Sequence, residues 1–198
     1  MRLGEIEIKA RNFLQTEVAE LYCYHNLGHT IMVVEESKKF VKRYELGERE
    51  AELLLIAAWT HDLGFQKGAE FHELRSAEIA GKWMLENDDY NNQDVQLVQS
   101  MILATKIPQN PKNQLSAFLC DADLAYLGDE KEYPRISNLL IKEWVDTGVC
   151  KDDPKRHLEL QIGFLLNHRF QTPYGQESLT PGKSKIIKQL QEKRRALS

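Results

Sequence analysis

The chain has 198 residues, 42% hydrophobic and 28% charged, with a net charge of −4. That balance excludes a disordered tract and supplies no global positive field, so long nucleic acid is a poor substrate class. The longest apolar run, 53–59, is far too short to cross a bilayer.

Helical periodicity dominates from the first residues onward, and strand-like alternation is scarce. An amphipathic helix is predicted over 6–21, with Ile6, Phe13, Leu14, Val18 and Leu21 on its apolar face, and a second over 25–44 with Ile31, Val34, Phe40 and Val41 inward. The next, 48–60, is apolar on every side through Leu53, Leu54, Leu55, Ile56, Ala57, Ala58 and Trp59, so it is expected at the centre of the fold. His61, Asp62, Leu63 and Gly64 end it, with Gly64 the expected C-cap. A loop over 66–70 leads to a helix at 72–87, a polar turn at 87–92 and a helix at 94–105. Pro108 and Pro111 break the chain at 107–113. Helices are predicted at 116–127, stopped by Gly128, and at 132–147, stopped by Gly148. Pro154 opens the next, which runs to Asn167. A Pro/Gly-bearing loop over 170–182 precedes a basic helix at 183–197. Its cations, Lys183, Lys185, Lys188, Lys193, Arg194 and Arg195, read as a solvated face, with an interaction tail as the alternative.

No repeat or linker interrupts this order. The expected architecture is all-α, one domain over 1–198 with its core at about 22–168 and a C-terminal loop and basic helix at 169–198. The N-terminus shows no signal-peptide pattern. Cys23, Cys120 and Cys150 form no CxxC pair, which disfavours thiolate zinc and a disulfide framework. A cytoplasmic protein is the expectation.

Three short stretches carry chemistry. His61-Asp62 closes the greasiest helix, where an ionised carboxylate is costly unless paired or bound to metal. The competing reading is a buried Asp satisfied by helix or histidine hydrogen bonds. His25 and His29 are four apart, so on a helix they share a face. Both could address one metal, or one could bind it while the other faces substrate. Asp121 and Asp123 sit in an otherwise apolar helix, and periodicity does not say which points at a site. Imidazoles and carboxylates from three segments suit an oxygen- and nitrogen-preferring divalent ion: Mn, Fe, Co, Ni, Mg or Zn.

The ordered pattern His…His-Asp…Asp resembles the HD superfamily of metal-dependent phosphohydrolases. Tyr24-His25-Asn26-Leu27-Gly28-His29 looks like its YHNxxH element, and Ala57-Ala58-Trp59-Thr60-His61-Asp62 like its AAWxHD element. His72-Glu73 with Ser76-Ala77 resembles an HE..SA segment. Ile102 to Thr105, followed by Asp121-Ala122-Asp123-Leu124-Ala125-Tyr126-Leu127-Gly128, resembles the I.AT…DADL..LG stretch of small stand-alone members, and Tyr133, Arg135 and Glu143 echo that subgroup.

The resemblance implies an HD-type helical bundle with His29, His61, Asp62 and Asp123 as metal ligands; Asp123 takes the aspartate of the family's A-D-L element. It implies His25 as the substrate-facing acid, Asp62 as a group that also polarises the attacking water or bridges two metals, and Glu73 as support for a histidine or that water. His72 and Lys106 would contact the phosphate, or His72 a second metal. The implied substrate is a small phosphate ester, a nucleotide or cyclic nucleotide, cleaved as a monoester or diester; no membrane partner is expected, and homodimerisation stays open. A nucleotide-binding regulatory module with little turnover is the alternative, and a di-iron oxygenase a weaker one, since His72 is the only histidine between Asp62 and Asp123. No base-reading motif stands out, and Phe65, Phe71 and Tyr126 are expected in the core. His157 and His168 are expected as structural support.

Overall fold

A computed structural model describes residues 3–18, 22–86 and 88–196. Among them the fold is all-α, without a strand: α1 (Leu3–Thr16), α2 (Leu27–Arg43), α3 (Glu48–Thr60), α4 (His72–Leu85), α5 (Asn92–Ala104), α6 (Gln114–Asp123), α7 (Tyr133–Asp146), α8 (Pro154–Asn167) and α9 (Thr180–Ala196). No helix is long and apolar enough to cross a membrane. The predicted ends at Leu21, Asn87 and Leu197 lie outside the described residues.

The described residues form two compact units, one of α1 with residues 25–123, the other of residues 22–24 with 124–196. In the first, α3 touches α1, α2, α4, α5 and α6. Its all-round apolar surface is therefore the reason it is central: Leu54, Ile56, Ala57 and Ala58 are fully buried. Arg49 fixes its entry. The guanidinium grips the Asp94 carboxylate at 2.6 Å, bonds Glu52 and the Asp89 carbonyl, and lies over the Tyr90 ring. Asp94 also completes a capping box with Asn91 at the start of α5.

Helix α2 begins later than its periodicity suggests. Asn26 is extended, with φ −141°, and its side chain accepts hydrogen bonds from the Gly28 and His29 amides. His25 therefore precedes the helix, and the expectation that His25 and His29 share a helical face does not hold. Nor is Gly64 the cap of α3. The C-cap is His61, and a 3-10 turn, Leu63–Lys67, occupies part of the expected loop and ends at Gly68 with φ 102°. Gly64 serves another purpose: a Cβ there would lie 2.1 Å from the His72 carbonyl oxygen, so only glycine lets this turn meet the start of α4. Helix α6 stops at Asp123, and Ala125–Gly128 continues as a 3-10 turn.

In the second unit Leu124, Leu127, Tyr133, Ile162, Leu165, Phe170, Ile186 and Leu190 form the core. Gly148, at φ 75°, follows the end of α7 as expected. The buried Glu143 carboxylate accepts from the Tyr24 amide at 2.9 Å. Helix α9 starts three residues before Lys183, and a π-helical turn, Gly175–Leu179, occupies part of the predicted loop. Lys183 is buried rather than solvated. Its ammonium donates to the carbonyl of His168, the residue that caps α8, at 2.5 Å, and burial lowers its pKa. A cation at a helix C-terminus offsets the partial negative charge there. Lys185, Lys188, Lys193, Arg194 and Arg195 do face solvent. His157 bonds the Lys151 carbonyl, a supporting role of the kind expected.

Candidate metal centre

Three backbone segments bring the predicted ligands together. His29 lies in the first turn of α2, His61 and Asp62 close α3, and Asp123 closes α6. All are placed by helix ends, where the backbone turns away and leaves the side chain against neighbouring helices. His29, His61 and Asp62 are buried; Asp123 keeps some exposure, its side chain 15% accessible.

The atoms that converge are two nitrogens and two oxygens. His29 Nε2 stands 3.2 Å from His61 Nε2, 3.3 Å from Asp62 Oδ2 and 3.1 Å from Asp123 Oδ1. His61 Nε2 stands 3.2 Å from Asp62 Oδ2 and 3.6 Å from Asp123 Oδ1. Ligand bonds of about 2.1 Å would set adjacent donors about 3.0 Å apart around an octahedral ion and about 3.4 Å apart around a tetrahedral one. The observed separations run from just above the octahedral value to just beyond the tetrahedral one. Among the described residues, the donor atoms of His29, His61 and Asp123 all lie within 4.8 Å of one another; Asp62, close to both histidines, is not part of that group of three.

Two details of the donor set fit a cation. His61 Nδ1 is 2.8 Å from the Ala58 carbonyl, so that nitrogen carries the proton and Nε2 turns its lone pair to the cluster. Asp62 Oδ2 is buried and close to both imidazoles yet aligned with neither as a hydrogen-bond acceptor. A buried carboxylate oxygen without an aligned donor is costly unless a positive charge faces it.

The charges reflect this crowding. Burial is the strongest influence on His29 and opposes its charged form, but the nearby carboxylates of Asp123 and Asp62 outweigh it and raise its pKa. His61 is raised further, burial again being outweighed by the Asp62 and Asp123 carboxylates. Burial pushes Asp62 and Asp123 upward, and the two imidazoles more than reverse that, holding both well below the usual carboxylate range.

Of the other predicted residues, His72, Glu73 and His25 stand beside the cluster. His72 opens α4, and its Nδ1 lies 2.8 Å from the Ala69 carbonyl, which leaves Nε2 facing Asp62 Oδ1 at 3.7 Å. Asp62 thus turns one oxygen to the histidine pair and the other to His72. Glu73 Oε2 lies 3.5 Å from His72 Nδ1, the nitrogen that does not face Asp62. His25 stacks on Phe65 with ring centroids 4.1 Å apart and planes 14° from parallel, 5.8 Å from the His29 ring and 6.2 Å from that of His72. Lys106 is exposed just beyond α5, its ammonium 5.8 Å from the Phe71 ring. Asp121 is fully buried and lies outside the group formed by His29, His61 and Asp123.

Sequence reasoning missed three residues around the start of α4. Arg75 holds the turn before α4 by donating to the carbonyls of Gly64 at 2.9 Å, Glu70 at 2.5 Å and Gly68. Ser76, fully buried, accepts from the Gly64 amide at 2.8 Å. Phe71, expected in the core, is 57% exposed. Its backbone is left-handed, with φ 55° and ψ 27°, which turns the chain into α4 and leaves the side chain outside. No protein-family model matches the chain, and no curated protein is significantly similar to it.

Proposed function

We infer that this protein is a metal-dependent phosphohydrolase of the HD type acting on a small phosphate ester, a nucleotide or cyclic nucleotide. One observation carries the reading: the His29 and His61 Nε2 atoms and an Asp123 oxygen lie within 4.8 Å of one another, and Asp62 Oδ2 lies 3.2–3.3 Å from both imidazoles. Without a metal these acids and histidines hold one another charged; with the imidazoles neutral, their lone pairs and the carboxylate oxygens form a donor set suited to a divalent cation.

His29, His61, Asp62 and Asp123 would hold a divalent ion, drawn from Mn, Fe, Co, Ni, Mg or Zn. Such an ion, when bound, supplies Lewis acidity toward the phosphoryl group and lowers the pKa of water. The chain supplies the rest. Asp62, shared between the histidine pair and His72, orients the attacking water. His72 Nε2 and Lys106 neutralise the non-bridging oxygens. His25 protonates the leaving oxygen, and its stack on Phe65 fixes the plane in which that proton is offered. Glu73, beside His72 Nδ1, supports that imidazole. Cys23, Cys120 and Cys150, none of them in a disulfide, fit a reducing compartment, so the reading assigns the protein to the cytoplasm.

Elemental analysis of the purified protein, paired with a panel of phosphomonoesters and phosphodiesters in several divalent metals, tests this. The expected result is at least one equivalent of metal and turnover of at least one ester. His29→Ala or Asp123→Ala should lose both together. His25→Ala should keep the metal and lose about 10²–10⁴-fold in kcat. Protein that takes up no divalent ion, or takes it up and cleaves nothing, overturns the reading.

A further inference from the structure

Phe71 breaks local rules, and its side chain gains no burial in return. A bulky residue in the left-handed region is strained, and a phenyl ring left in water forgoes its burial. It also begins a helix without offering a side-chain cap. Violations of this kind concentrate where function requires them. The position is telling: Phe71 is the chain neighbour of His72, whose Nε2 faces Asp62.

The surroundings have a definite chemistry. Lys106 Nζ lies over the ring at 5.8 Å and makes no ion pair with a carboxylate of the described residues. Ile107, the next residue along the chain, is half-exposed. An open aromatic surface with a cation on its flank, beside groups suited to phosphate, matches a ligand that is flat and π-rich at one end and anionic at the other. Bases stack on aromatic side chains without needing hydrogen-bond readout. A purely apolar ligand would leave the ammonium unused.

We propose that Phe71, flanked by Lys106, is the stacking platform for the planar base of the phosphate ester, so that the substrate is a nucleotide and this ring sets the preference for one. The inference rests on the phosphohydrolase reading for its phosphate end but has its own signature, dependence on the base. Base stacking on an aromatic side chain typically changes affinity by about tenfold or more.

The test compares the four nucleoside 5′-monophosphates with ribose 5-phosphate, which carries the same sugar and phosphate without a base. Binding to the metal-loaded protein is measured by calorimetry alongside turnover, in wild type, Phe71→Ala and Phe71→Trp. Wild type should bind at least one nucleotide about tenfold more tightly than ribose 5-phosphate. Phe71→Ala should cut that ratio to below about threefold, and Phe71→Trp should keep or raise it. Equal binding of all five ligands by wild type overturns the proposal. So does an unchanged ratio in Phe71→Ala, or a complete absence of binding. Base-dependent binding that Phe71→Ala abolishes, without any turnover of these or cyclic esters, keeps the platform and overturns the hydrolase reading alone.

Discussion

Asp62 stands among three imidazoles: its buried Oδ2 faces those of His29 and His61, and its Oδ1 faces that of His72. Without metal, protons set the charges of this cluster, and the direction of each shift sets how stability depends on pH. Asp62 and Asp123 fall below their ordinary value of 3.8 on folding, so their contribution is present above that pH and is lost as the pH drops through their folded values. His29 and His61 rise above their ordinary value of 6.5, so theirs is present below that pH and is lost as the pH climbs through their folded values. Metal-stripped protein should therefore be most stable between about pH 4 and 6.5 and lose stability on both sides. Urea midpoints taken from pH 3 to 9 in the presence of a chelator check this, and a profile still rising beyond pH 8 would contradict it. Metal reverses the alkaline limb. Ligand imidazoles must be neutral, so uptake releases protons and tightens with rising pH.

At the scale of elements, the site depends on how helices begin. Asn26 caps α2, which begins two residues after His25 and so leaves that imidazole to stack on Phe65. Asn26→Ala removes the side-chain bonds to the Gly28 and His29 amides and should cost about 1 kcal/mol, read from denaturant melts. Gly64→Ala should cost more. Its Cβ would press on the His72 backbone, not on a yielding side chain, so α4 must shift, at about 1–3 kcal/mol for overpacking with His72 displaced. A Gly64→Ala protein as stable as wild type would show that this approach is not tight. These helix starts also mark how far the sequence could be read. Helix α3 was legible from end to end because no polar residue interrupts its apolar run, and His61-Asp62 at its close followed directly. His25 was misplaced because 3.6-residue periodicity runs through Asn26, although an asparagine there is itself a signal for a helix start. Phe71 and Lys183 were not legible, since hydrophobicity sends phenylalanine inside and lysine outside. A left-handed backbone exposes the first, and a helix C-terminus buries the second. Asp123 could be preferred to Asp121 only through the resemblance, because both lie on apolar faces of α6.

For the whole molecule, a ligand that binds the folded chain and not the unfolded one adds stability by mass action. The four proposed ligands come from α2, from the close of α3 and from the end of α6, so they are adjacent only when those helices are packed. An unfolded chain separates His29 from Asp123 by most of that unit's length and has no cluster to offer. At a hundredfold excess over its Kd, a divalent ion should add about 2.7 kcal/mol. In a chain of this size that corresponds to a rise in Tm of about 5–10 °C. Scanning calorimetry with and without metal should show the rise, and excess chelator should remove it. His29→Ala and Asp123→Ala should melt at one temperature whether metal is present or not. Phe71→Ala should keep the full metal-dependent increment, because its ring is exposed and donates nothing to an ion. That contrast separates the residues that grip the metal from the residue that meets the base. A Phe71→Ala protein that lost the increment would place Phe71 in the support of the metal cluster itself and remove the ground for treating it as a substrate platform.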